Sequence, residues 1–195
     1  QRAYDEVWKV RAQLGDQPIS VLSEFIEENT YPKEIRKTLR DATSYLRVEL
    51  LADTTGWRPD QSNEVYRLDL HMLMASSDTQ EGAPLKDIVL SDPSVHPLTR
   101  ICAILDDLER WHTAAGRTEA ALEARLTRLD KLHENFNEAE DRLMIRKDLE
   151  SRLPVLRDKP WWAIGMAILA EFVRAEDTPD ALVRAKALAD ECVKV

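Results

Sequence analysis

Apolar residues recur at three- and four-residue spacing over most of this chain, which is the signature of amphipathic helices. In the first half that spacing predicts a helix from about Tyr4 to Leu14, ended by Gly15-Asp16. A second helix is expected after Pro18, with Ile19, Leu22, Phe25 and Ile26 on one face. A third is expected from Pro32 to about Asp53, with Ile35, Leu39, Ala42, Leu46 and Leu50 as its stripe. Both rest on proline at a first helical turn, where its missing N–H is harmless. A fourth helix follows from about Asp60 to Ala75, with Val65, Leu68 and Met72 facing inward. The run from Ser76 to Pro84 has no periodicity and reads as a loop. A short helix is expected over Leu85–Leu90.

The second half carries the stronger pattern. Pro97 opens a helix reaching Ala115, with Leu98, Ile101, Leu105, Leu108 and Trp111 on one stripe, and Gly116 stops it. Thr118 is the expected cap of the next helix, which runs to about Glu134. A long helix starts at Asn135 or Asn137 and runs through Arg157, with Pro154 kinking or ending it late. Pro160 opens a helix to about Ala175, and Thr178-Pro179-Asp180 starts the last one. Loops this short make neighbouring helices antiparallel. The expected fold is therefore all-α, with about nine to ten helices stacked as hairpins in a solenoid or irregular bundle. The unpatterned loop divides it into subdomains 1–83 and 84–195, which can pack as one body.

One pattern occurs three times: proline, apolar, two residues, apolar, small, two residues, apolar. It is carried by Pro160, Trp161, Ile164, Gly165 and Ile168, by Pro97, Leu98, Ile101, Cys102 and Leu105, and by Pro18, Ile19, Leu22, Ser23 and Ile26. It resembles the first helix of a tetratricopeptide repeat, whose pattern is W-x2-L-G-x2-Y. Ala181-Leu182 and Ala121-Leu122 look similar to the start of that repeat's second helix. The copies depart from the family's period of about 34 residues, and the repeat's tyrosine and terminal proline are missing. The resemblance covers the C-terminal hairpin best.

What the resemblance implies is a protein-interaction role, with a concave face lined by the first helix of each hairpin. Carried over residue by residue, that face holds Trp162, Met166 and Leu169 in the last hairpin. It holds Thr99, Ala103, Asp106 and Asp107 in the Pro97 hairpin, and Ser20, Glu24, Glu27 and Glu28 after Pro18. A groove apolar at one end and acidic at the other suits a protein or peptide partner with an apolar anchor and basic residues.

Charge narrows the partners further. The 36 acidic residues outnumber the 27 basic ones, for a net charge of −9, which disfavours nucleic acid. Two local basic clusters, Lys33-Arg36-Lys37-Arg40 and Arg142-Arg146-Lys147, read as solvated helix faces. The longest apolar run, Pro160–Ala170, is far short of the ~20 residues a membrane span needs. The five glycines are too scattered for a phosphate-binding loop, and GxSxG and HExxH are both missing.

Cys102 and Cys192 sit in apolar surroundings and read as small core residues. Glu109-x-x-His112 and Asp130-x-x-His133 each place a carboxylate and an imidazole on one helix face. Across a turn near Gly116 the two histidines lie on the order of 18 Å apart, too far for a shared metal. The sequence therefore names no catalytic, cofactor or metal residue. Two alternatives stand beside the interaction module. One is a structural helical segment of a larger, exported polypeptide, suggested by a start without methionine. The other is a ligand or metal carrier, or an enzyme, with a pocket between helices. The compartment is left open between cytoplasmic and exported.

Overall fold

A computed structural model describes residues 2–27, 29–32, 34–75 and 85–193. Ten α-helices occur among them: α1 (Arg2–Lys9), α2 (Arg11–Leu14), α3 (Leu39–Ala52), α4 (Pro59–Asn63), α5 (Leu70–Met74), α6 (Pro97–Ala114), α7 (Thr118–Asn135), α8 (Ala139–Arg152), α9 (Trp162–Arg174) and α10 (Ala181–Cys192). The described residues contain no strand, only an isolated bridge between Pro18 and Thr38. The fold is all-α. No helix among the described residues is long and apolar enough to cross a membrane.

Two compact units are present, Gln1–Ala121 and Leu122–Val195. The division expected between 83 and 84 falls in the segment 76–84, outside the described residues. Helices α3 and α6, one from each side of that segment, pack together and tie both sides into the first unit.

The first unit departs from its periodicity. Pro18 opens only a single 3-10 turn, Ile19–Leu22, and Phe25 is 82 % exposed. The backbone of this segment pairs with a distant stretch instead: Ile19 N–H donates to Lys37 O at 2.9 Å and Leu39 N–H to Gln17 O at 2.8 Å. Pro32 starts no helix, because Glu34 and Arg36 adopt positive φ (75° and 52°). Helix α3 starts at Leu39, behind a capping box. Thr38 Oγ1 accepts from Asp41 N–H at 3.1 Å, and Asp41 Oδ2 accepts from Thr38 N–H at 3.0 Å. The expected first helix breaks at Val10, the fourth splits into α4, a 3-10 turn and α5, and Leu85–Leu90 forms turns.

The buried stripe of α3 also differs from the expected one. Leu46 and Leu50 are 50 % and 45 % exposed, whereas Arg40, Asp41, Ser44, Tyr45, Arg47, Val48 and Leu51 are buried. The polar side of the helix faces inward because α6 supplies partners for Arg40 and Asp41 and α1 supplies one for Arg47. Helix α6 itself is buried on nearly every side. Leu98, Ile104, Leu105 and Leu108 are fully enclosed, each stabilising the unit by about 1.5–3 kcal/mol.

Helix α6 ends in a Schellman motif. Gly116 has φ +71°, its N–H donates to Thr113 O at 3.0 Å, and Arg117 N–H donates to His112 O at 2.9 Å. Beside this end the Trp111 ring lies between two guanidinium groups, Arg40 at 4.4 Å and Arg117 at 3.9 Å. Gly15 approaches the same ring so closely that a Cβ there would sit 2.5 Å from Trp111 Cζ2.

In the second unit the helices fall near their expected places, although Ile164 and Leu182 of the expected stripes are exposed. Thr118, expected as a cap, is the first helical residue of α7, and α8 gives way to a 3-10 turn, Leu153–Leu156, that contains Pro154. Helices α9 and α10 pack as a hairpin. Gly165 lets α9 close on Leu153, whose Cδ2 would lie 2.5 Å from an added Cβ. Asp148 is gripped by Arg125 (2.6 and 3.0 Å) and Arg152 (2.9 and 3.4 Å). Burial pushes its carboxyl up, but the two arginines outweigh this and hold it below the ordinary carboxylate range.

Gly15→Ala should lower the stability of the first unit by about 1–3 kcal/mol, because a ring pinned between two guanidinium groups cannot yield. Gly56→Ala, with nothing within 4 Å of its Cβ, should leave the urea midpoint unchanged. Equal midpoints for the two variants would contradict this packing.

Candidate functional site

Most of the expected groove lies inside the protein. Trp162, Met166 and Leu169 are 3–5 % exposed and form the buried stripe of α9, so they are core and not a docking face. Helix α9 is apolar on most sides, and two stripes compete for the interior. Trp162, Met166, Leu169 and Val173 win it, while Ile164 on the repeat-like stripe is 40 % exposed. Trp161 is half-buried, its Nε1–H donating to Glu123 Oε2 at 2.8 Å.

Thr99, Ala103 and Asp106 are buried in α6, and Asp107 is half-buried. Their carboxylates answer arginines. Asp106 accepts from Arg110 Nε–H at 3.1 Å, and Asp107 from Arg11 and Arg40. Ser20, Glu24 and Glu27 are exposed, and Glu28 lies outside the described residues.

The chemistry-bearing residues are likewise built in. His112, 1 % exposed, donates from Nε2 to Asp41 Oδ1 at 2.8 Å. Asp41 Oδ2 holds the capping box, so one carboxylate joins the start of α3 to α6. Cys102 is wholly buried. His133 stacks on Phe172, centroids 4.2 Å apart. Among the described residues no group of three or more His, Cys, Asp or Glu is placed to hold a metal. Of the basic clusters, Arg36 lies between the Tyr31 and Tyr45 rings at 4.8 and 3.6 Å, and Arg40 is buried on Asp107.

A pocket of about 330 Å³ opens in the second unit, between the start of α8 and the turn joining α9 to α10. Its walls include Ala139, Leu143 and Ala175, and Leu143 is 39 % exposed. Its charged groups are Arg142, Glu176 and Asp177, two carboxylates against one guanidinium. Arg142 is occupied: its Nε–H donates to Phe136 O and its Nη2–H to Asn137 Oδ1, both at 3.0 Å. Glu176 is fixed by Arg146 at 3.1 Å and Arg184 at 3.0 Å. Asp177 is exposed. The first turn of α8 adds Glu140 and Asp141. These residues come from loops and helix ends that are distant in sequence, and no local pattern joins them.

Comparisons with family models, with curated proteins and with solved structures found no match to this chain.

Two outcomes follow from this geometry. Asp107→Ala should cost about 3–5 kcal/mol, because it strands the buried Arg40 guanidinium; chemical denaturation reads it. A second concerns pH. His133 titrates below its ordinary value because burial disfavours its charged form and Arg142 repels it. Its folded value is lowered, so its contribution is complete above about pH 6.5 and is lost as the pH falls through the lowered value. His96 shifts the same way, through burial and Arg100. Urea titrations of the native chain and of His133→Phe at pH 7.5 and pH 5 should therefore show a smaller acid loss in the variant.

Proposed function

We propose that this chain is a non-catalytic helical module that binds a partner protein through a short peptide segment. The observation that carries this reading is the pocket at the start of α8, with apolar walls and a carboxylate excess among its charged groups. Its volume lies at the small end of the range for ligand pockets and takes one large side chain. Leu143 offers the contact for an apolar anchor, and Glu176 and Asp177 favour a basic residue beside it. The burial of His112 and Cys102 supports the non-catalytic part, since neither can meet a substrate without local unfolding. The likeness of the α9–α10 hairpin to a tetratricopeptide hairpin belongs to the same proposal.

A second reading draws on the outer face of α10. Leu182 and Val183 are 70 % and 72 % exposed, as they would be on a structural segment that another helix covers. Sedimentation of Leu182→Lys/Val183→Lys beside the native chain separates the two readings. Self-association lost in the variant favours the structural one.

The pocket is tested with two blocked tripeptides, lysine–leucine–lysine and glutamate–leucine–glutamate, titrated against the labelled protein by NMR. The basic peptide should shift amides around Leu143 and Ala175 saturably, and the acidic one should not. Leu143→Glu should abolish the response. Equal shifts from both peptides, or an unaffected variant, would refute the pocket as the docking point.

A further inference from the structure

The chain has an excess of nine negative charges, yet one recess in its first unit is positively charged. It lies where α1 and α2 meet α6 and the turn around Lys86, and it measures about 30 Å³. Arg11, Lys86 and Arg110 line it, and Asp107 is the carboxylate in its wall. Asp107 answers more cations than it can neutralise. Arg11 grips it with Nε and Nη2, both at 3.2 Å, Arg40 Nη2 lies 2.6 Å from it and Arg110 Nη2 3.9 Å. Asp106 takes the Nε of Arg110 at 3.1 Å. Three guanidinium groups thus meet two carboxylates, and Lys86 adds a fourth cation at the recess. Asp87 follows Lys86 but does not line the recess.

Two further guanidinium groups stand behind the recess. Arg100 stands one turn before Ala103 on the same face of α6, and Ala103 lines the recess. Arg100 is 5 % exposed, and its Nε has no hydrogen-bond partner among the described residues. Arg47, also buried, pairs with Asp5 and donates to Leu90 O at 3.3 Å. Leu90 is itself in the recess wall. Asp5 and Asp92 act on Arg100 through space, and cations that outnumber their carboxylates in a partly desolvated site bind an anion more strongly than they would in water.

We propose that this recess is a binding site for a phosphate-class oxyanion. Its size admits the oxygen edge of one tetrahedral group and leaves a nucleoside outside. Arg11, already bonded to Asp107 and to Trp8 O, adds a fixed planar cation, Arg110 a planar donor and Lys86 a mobile point charge, the combination that suits a doubly charged group with several acceptor oxygens. The Trp8 ring, 4.5 Å beneath the Arg11 guanidinium, holds that donor in place. The ligand is either free phosphate or a phosphomonoester, and both present the same oxygens.

The test measures the melting temperature and 31P line width of the full chain with inorganic phosphate, and separately with O-phosphoserine, against sodium chloride at matched ionic strength. Phosphate should raise the melting temperature saturably beyond the chloride control. A response to inorganic phosphate alone identifies the free ion, and an equal or stronger response to O-phosphoserine identifies the monoester. Lys86→Gln and Arg110→Gln should each weaken binding about ten-fold, and Lys9→Gln, on the exposed side of α1, should not. Asp107→Asn should tighten it, because the resident carboxylate competes for the same donors. If Arg110→Gln fails to fold by circular dichroism, Lys86→Gln alone decides. A rise reproduced by chloride, or native affinity in Lys86→Gln, would overturn the assignment.

Discussion

The carboxylate of Asp41 is the point on which the first unit turns. One oxygen closes the capping box that starts α3, and the other receives the Nε2 proton of His112 on α6. A helix start and a helix packing are thereby set by a single buried group. Removing it would leave an imidazole and a helix N-terminus without acceptors, in surroundings where an unmet hydrogen bond costs far more than it does in water. Asp107 repeats the arrangement on the same helix, drawing Arg40 and Arg11 toward it. Helix α3 consequently buries charged and hydroxyl groups and turns Leu46 and Leu50 outward. The interior of this unit is a set of paired charges set among leucines, and its geometry is the geometry of those pairs.

The two units solve the problem of enclosure differently. The second relies on apolar packing, with Trp162, Met166 and Leu169 on α9 and close approach at Gly165. One of its buried charge systems, Asp148 between Arg125 and Arg152, is compensated. Its pocket is accordingly mild, with apolar walls and a modest carboxylate excess. The first unit over-supplies arginine, and its recess is cationic inside an acidic chain. Opposite local charges in one protein follow from local pairing and not from composition, because a potential inside a protein is set by the nearest few groups.

The helices of the second half were legible because their apolar stripes are long and their stops are strong. Pro97 is the first residue of α6 and Gly116 stands two past its last, and Pro154 falls in the turn that ends α8. The first half was not legible for a physical reason. Pro18 and Pro32 carry the residue types of helix starts, but Ile19, Leu39 and Lys37 satisfy their backbone groups with partners about twenty positions away. A periodicity argument sees only neighbours. The expected groove failed on related grounds. A helix as apolar as α9 offers two stripes, and the choice between them belongs to whatever packs against it. The pocket residues Leu143, Ala175 and Glu176 gave no local signal at all.

The sequence by itself determined that this protein is helical, where most of the later helices begin and end, and that its apolar stripes need covering. Each of these follows from spacing, caps and breakers that act within a few residues. Only the tertiary structure decided which stripe faces inward, that α3 buries its polar side, and where cations outnumber the acids beside them. Those outcomes depend on pairing between residues far apart in the chain, and the free energy of a buried charge is fixed by the partner it finds there.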